Sequence, residues 1–338
     1  MHQGTGVGSA GAQQQGDPAA ADPAFVNAAS PGLKARIVGV FVRSTAAANS
    51  YPRMLAVVFD GLFGAATTPR LKQLCMELVA WSFKHGTNAQ LAPISPVVLQ
   101  GLLKTLDLGV GKNATGLAGD APAVALRQFT YGALGQLCRR VPKLVASDDA
   151  LAARLFRAAA EESQALVSSV ADALSALSLA FRELDAKGGV TPELLLALLA
   201  LVEVAAASDA RAARLLAAQW AARVFPFSHA GARRICALCA GDDAMDVREE
   251  GLAGLKAPKS DDASWPTSAD MLRRLRTASP RLSTEVRQGE ALLMPPRQYA
   301  SLLTFVRACR QREMAGQGAA MPKANAEAEE ALSDRLYE

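Results

Sequence analysis

Four stretches of this chain repeat one pattern, in which small residues mix with apolar ones and an apolar residue closes the last turn. They are VALRQFTYGALGQL (124–137), QALVSSVADALSAL (164–177), ARAARLLAAQWAARVF (210–225) and MDVREEGLAGL (245–255). Their closing residues are Leu137, Leu177, Phe225 and Leu255, so the mean spacing is (255 − 137)/3, or about 39 residues. The individual intervals of 40, 48 and 30 make the repeat degenerate. Another apolar helical segment precedes each stretch. A period of this size means stacked helix pairs, since one pair cannot bury its apolar face alone.

Composition agrees with helix. Alanine supplies 69 of the 338 residues, and alanine and leucine dominate an apolar half of the chain. Both favour helix, and β-branched and aromatic residues are sparse. A single core stops growing near ~250–300 residues, which argues against one compact globule at this length. The period is close to the ~40–47 residues of HEAT and armadillo helical pairs. The expected fold is therefore all-α, an α-solenoid of HEAT/armadillo-like repeats, with about six to seven helical pairs across residues 32–312. Residues 1–31 lack periodicity and read as a disordered low-complexity tail. A flexible Gly-rich insertion is expected near 109–120. Residues 313–338 read as a polar tail or the start of a further helix.

Capping chemistry marks helix starts. Thr191-Pro192-Glu193 offers an N-cap hydroxyl, a proline at the first helical position and an acid in the first turn. Ser147-Asp148-Asp149, Ser208-Asp209 and Thr267-Ser268-Ala269-Asp270 precede further helical patterns. In 210–225, Ala212, Leu215, Leu216, Gln219, Trp220 and Arg223 fall on helical spacings, and one apolar stripe is expected, edged by Arg211, Arg214 and Arg223. In the turn GDDAMDVREEGLAGL, Asp246 should satisfy free N–H groups at a helix start. Arg248 should pair with the neighbouring repeat's turn acid. Gly251, Ala253 and Gly254 should let adjacent helices approach closely.

Chemical motifs are weak. Gly6-x-Gly8-x-x-Gly11 lacks the flanking strand and helix that a dinucleotide fingerprint needs. In Gly109-Val-Gly111-Lys112-Asn113, Leu106 and Asn113 stand where a Walker loop needs glycine and a hydroxyl residue. Cys236-x-x-Cys239 has no second Cys or His pair for zinc, so buried thiols in a core helix are expected. His2, His85 and His229 are scattered. Asp60, Glu77, Glu161 and Glu162 read as solvated helix faces. No catalytic, cofactor-binding or metal residue is assigned, and no enzyme activity is expected.

The formal net charge of +4 reads as weakly basic and spread along the chain, without the clustered basic face that nucleic acid requires. Arg273, Arg274, Arg276, Arg281 and Arg287 form the densest positive stretch and read as a solvated face. Five cysteines suit a reducing compartment. The most apolar run, Leu194 to Val202, is about half a bilayer span of ~20 residues, so no membrane insertion is expected.

Four segments in order resemble the large HEAT-repeat proteasome adaptor and scaffold family (the "Ecm twenty-nine" family). They are AVVFDGLFGAATTPRLKQLCMELV (56–79), YGALGQLCRRVPKLVASDDALAARLFRAAAEE (131–162), AARVFPFSHAGARRICALCAGDDAMDVREEGLAGL (221–255) and MPPRQYASLLTFVRAC (294–309). The resemblance implies a curved solenoid with no catalytic site that clamps both the regulatory and core particles of the proteasome. It implies a role in assembly quality control, in the cytoplasm and nucleus and at endomembranes. It transfers no contact residue. Rival readings are another HEAT or armadillo scaffold (transport receptor or phosphatase subunit type), an enzyme using the 109–119 loop, and nucleic-acid binding through the 273–287 arginines.

Overall fold

A computed structural model describes residues 31–107, 121–256, 264–276 and 296–317. Among these residues every regular element is a helix. In chain order they are α1 (Pro31–Phe41), α2 (Thr45–Asn49), α3 (Tyr51–Phe63), α4 (Pro69–His85), α5 (Asn88–Leu91), α6 (Ser95–Asp107), α7 (Ala121–Arg140), α8 (Pro142–Val145), α9 (Ala150–Glu161), α10 (Gln164–Asp185), α11 (Pro192–Ala206), α12 (Arg211–Arg223), α13 (Ala230–Cys239), α14 (Met245–Leu255), α15 (Ser268–Arg276) and α16 (Pro296–Gln317).

Local chemistry starts the helices. Thr191 Oγ1 accepts from Leu194 N at 3.3 Å, and Pro192 opens α11. Thr68 and Pro69 open α4 by the same device, with Leu71 N donating to Thr68 Oγ1 at 3.2 Å. Proline fits there because its missing N–H lies among those a first turn leaves unpaired. Before α9, Asp148 Oδ1 accepts from Ala150 N. α15 begins at Ser268, inside its expected capping segment, and Thr267 Oγ1 accepts from Asp270 N. The Glu313 carboxylate of α16 also accepts from Ser268 N and Oγ, both at 2.7 Å. Residues 313–317 therefore continue α16 and do not open a new helix. α1 starts at Pro31, at the border of the segment read as a tail. The rest of that segment, the Gly-rich 108–120 and residues 318–338 lie outside the described residues.

Consecutive helices pair, and each pair packs on its neighbours. α7 lies between α4 and α10, and α12 packs against α14. α9 joins the two halves by contacting α10, α11 and α12. The four repeating stretches are the second helices α7, α10, α12 and α14. This is an all-α helical-repeat solenoid. One continuous core runs from Val38 in α1 to Val247 in α14. A smaller core between α13, α15 and α16 centres on Phe227, Trp265 and Phe305, and Leu255 borders both. Phe227 meets Trp265 edge-on at 5.2 Å between centroids.

α10 is the one described helix long and apolar enough to cross a bilayer. Its apolar residues have a different use, because Val170, Leu174, Leu177 and Phe181 are all buried in the first core. The buried stripe of α12 runs through Ala213, Leu216, Ala217, Trp220 and Ala221. It is turned by about one residue from the expected stripe, because Trp220 anchors it between Phe156 and Phe181, at 5.1 and 5.8 Å.

Candidate interaction surface

Arginines early in the second helices tie neighbouring pairs together. Arg214 Nε donates to Asp242 Oδ2 at 2.7 Å and Nη2 to Asp242 Oδ1 at 3.1 Å, a two-pronged fork on the turn between α13 and α14. Its Nη1 donates to Ser208 O and Asp209 O, closing its own α11–α12 turn. Asp242 Oδ1 also accepts from Ala244 N, so the acid orders the turn it sits in. Such a fork matches carboxylate geometry in both direction and charge. Arg127 of α7 does the same work one side over. It forks onto Glu162, between α9 and α10, while Nη1 donates to Leu106 O at the end of α6. Tyr131 Oη donates to the same carboxylate at 2.6 Å, and burial together with this bond pushes the phenol well above its ordinary range.

Arg248 of α14 holds the equivalent position. Like Arg214, it donates Nη1 to the carbonyls six and five residues before it, here Asp242 O and Asp243 O. The expected partnership of Arg248 with a neighbouring turn acid is thus displaced: Arg248 closes its own turn, and Arg214 and Arg211 reach across from the preceding pair. Arg211 Nε donates to Asp246 Oδ1 at 2.9 Å and holds that carboxyl below its ordinary range. The linkage was written in the sequence: the three arginines fall at the fourth or fifth position of three of the four repeating stretches. α10 breaks the series, with serines in that region.

The carboxylates read as solvated faces are mostly ion-paired between helices. Lys34 holds Asp60 at 2.6 Å, and Arg43 holds Glu77 at 3.3 Å. Glu162 is half-buried under Arg127 and Tyr131, and Glu161 alone of the four is exposed without such a tie in the described structure. Asp60, Glu77 and Glu162 are each set against a cation on another element.

Cys236 and Cys239 are buried in α13. Burial pushes Cys236 up to about 11 and raises Cys239 further, which leaves protonated, unreactive thiols. His229 caps α13, its Nδ1 accepting from Ala232 N at 3.2 Å, and His85 lies against the Trp81 ring. Among the described residues no group of three or more His, Cys, Asp or Glu converges as a metal site. Arg233 is fully buried, with Nη1 and Nη2 donating to Gly254 O and Ala221 O near the ends of α14 and α12. Its guanidinium also lies 5.2 Å from the Phe227 ring, and burial lowers its basicity. It is a structural clasp among three helices.

The charge is not spread evenly. Across residues 31–107 and 121–147, twelve Lys and Arg face three acids, Asp60, Glu77 and Asp107. Residues 148–256 hold eleven Lys and Arg against fifteen acids. The small net total conceals a basic N-terminal half and a mildly acidic remainder. In the arginine cluster near 273, Arg273 is exposed and pairs with Asp270 at 3.2 Å. The side chains of Arg274 and Arg276 and all of Arg281 and Arg287 lie outside the described residues. Exposed apolar side chains gather on α1, where Leu33, Ile37, Val40 and Phe41 follow helical spacing.

Residues 13–239 match the family described as proteasome component ECM29, N-terminal. The human proteasome adapter and scaffold protein ECM29 is 28% identical over 287 residues, which cover 82% of this chain and 15% of that protein. The chain thus spans about a seventh of the length of this curated relative. No solved structure matches. With the family pattern running through α1 to α13 and the Arg127–Glu162 fork lying within it, the chain belongs to the ECM29 proteasome-component family.

Proposed function

We propose that this chain is a non-enzymatic scaffold segment that binds the proteasome. The observation that carries the reading is the family match across residues 13–239, most of the described solenoid. The architecture suits the role. Stacked pairs present a long surface while each pair depends only on its neighbours. The polar groups drawn together inside the solenoid, such as Arg214 with Asp242 and Arg127 with Glu162, are used to join helices. The partners in this reading are the regulatory and core particles, and the setting is the cytoplasm and nucleus.

The test is affinity purification of the tagged chain from lysate with ATP maintained. Subunits of both particles should co-purify above the level of an untagged control. Recovery of the core particle alone would restrict the partner. Absence of all proteasome subunits, with a transport or phosphatase complex recovered in their place, would overturn the reading.

A further inference from the structure

We propose that the edge formed by the C-terminal ends of α4 and α7, with α8, docks an acidic segment of a partner protein. The two helix ends are held side by side, since Arg140 Nη2 of α7 donates to Gly86 O, the residue that caps α4. Lys84 in the last turn of α4, Arg139 in the last turn of α7, and Lys143 in α8 are all exposed. None of these three has an acidic partner among the described residues.

Local helix ends do not absorb this charge. Each helix C-terminus contributes about half a negative charge, so two ends offset about one of the four cations, Arg140 included. Nearby acids do not absorb it either. Asp60, Glu77 and Asp107, the acids of this half among the described residues, are bonded to Lys34, Arg43 and Arg154. Acids return just past α8, at Asp148 and Asp149, where Asp148 Oδ1 already accepts from Ala150 N, so the patch has an edge.

The chemistry favours a peptide over a polyphosphate. Helix C-termini leave backbone carbonyls that seek donors. An acidic peptide brings carboxylates for the cations and N–H groups for the carbonyls. A phosphodiester chain brings acceptors alone, and phosphate is better received at helix N-termini. The inference rests on charge and placement and does not depend on the partner being the proteasome.

The test uses the full chain and a fluorescein-labelled oligoglutamate peptide, followed by anisotropy at low and rising salt. The triple variant Lys84→Glu, Arg139→Glu, Lys143→Glu should bind at least about tenfold more weakly, with a shallower salt dependence. The control Arg70→Glu, Lys72→Glu reverses charge at the other end of α4 and should change binding by less than about threefold. Circular dichroism verifies the fold of each, and glutamine at the same three positions repeats the measurement should the reversed variant unfold. Equal weakening by both sets would mean that only net charge matters, which contradicts the site. Tighter binding of duplex RNA or of phosphatidylserine vesicles than of the peptide would also overturn it.

Discussion

Arg214 shows how one side chain fixes a repeat. Its fork on Asp242 is largely shielded from solvent, with side-chain exposures of 18% and 10%. Removing one partner of such a pair strands the other charge, which costs about 3–5 kcal/mol. Arg214→Ala should therefore lower unfolding stability by that amount in denaturant titration. Arg211 is 66% exposed, and Arg211→Ala should lower stability far less than Arg214→Ala does, because solvent screens the exposed pair. Equal effects would remove the distinction drawn between the two arginines. The Asp246 carboxyl is held low chiefly by the hydrogen bond from Arg211. A depressed carboxyl stabilises the fold above its unfolded value of about 3.9, and the contribution is lost as pH falls through the folded value. Wild type should thus be more stable than Asp246→Asn at neutral pH, and the gap should close on acidification below about pH 4. A gap that widens in acid would have the wrong sign. Cys75, Cys138, Cys236, Cys239 and Cys309 are buried, and Cys75, Cys138 and Cys309 are each pushed up to about 12 by that burial. A thiol reagent should label these cysteines only as the protein unfolds.

Helix pairs separate what the residues reveal from what they hide. The cap at Thr191 and the Asp148 turn before α9 were legible because such hydrogen bonds are local chemistry, read from a few adjacent residues. The arginine ladder was harder, since a fork joins residues about 30 apart and only alignment of the repeats exposes it. The small residues of α14 were read correctly at two positions of three. A Cβ on Gly251 would lie 2.5 Å from Ala240 N, and one on Gly254 would lie 2.6 Å from Cys236 Sγ. Ala253 is exposed, because its place in the turn carries it away from α13. Backbone cannot move aside as a flexible side-chain end can, so Gly251→Ala should destabilise by about 1–3 kcal/mol despite its helix propensity. A Cβ on Gly135 meets Ala173 Cα at an ordinary 3.7 Å. Gly135→Ala should then be neutral or stabilising by up to ~1 kcal/mol. Thermal melts of the two variants decide the point, and the same sign for both would contradict this packing.

At the scale of the molecule, the period of about 39 residues identified α7, α10, α12 and α14 as one class of helix. It missed α4, which packs on α7 as the others pack in turn. The residues 108–120 between α6 and α7 lengthen that interval and break the spacing. Charge was misread for a related reason: a total over the whole chain cancels a basic half against an acidic one. The family assignment needed ordered matches over most of the chain, since single Ala- and Leu-rich helices resemble many proteins. The central claim is that this solenoid binds the proteasome, and co-sedimentation tests it most directly. Purified chain mixed with purified proteasomes and ATP should move into the fast-sedimenting fraction and saturate at a fixed ratio. A chain that stays in the slow fraction, while circular dichroism shows it folded, would contradict the account.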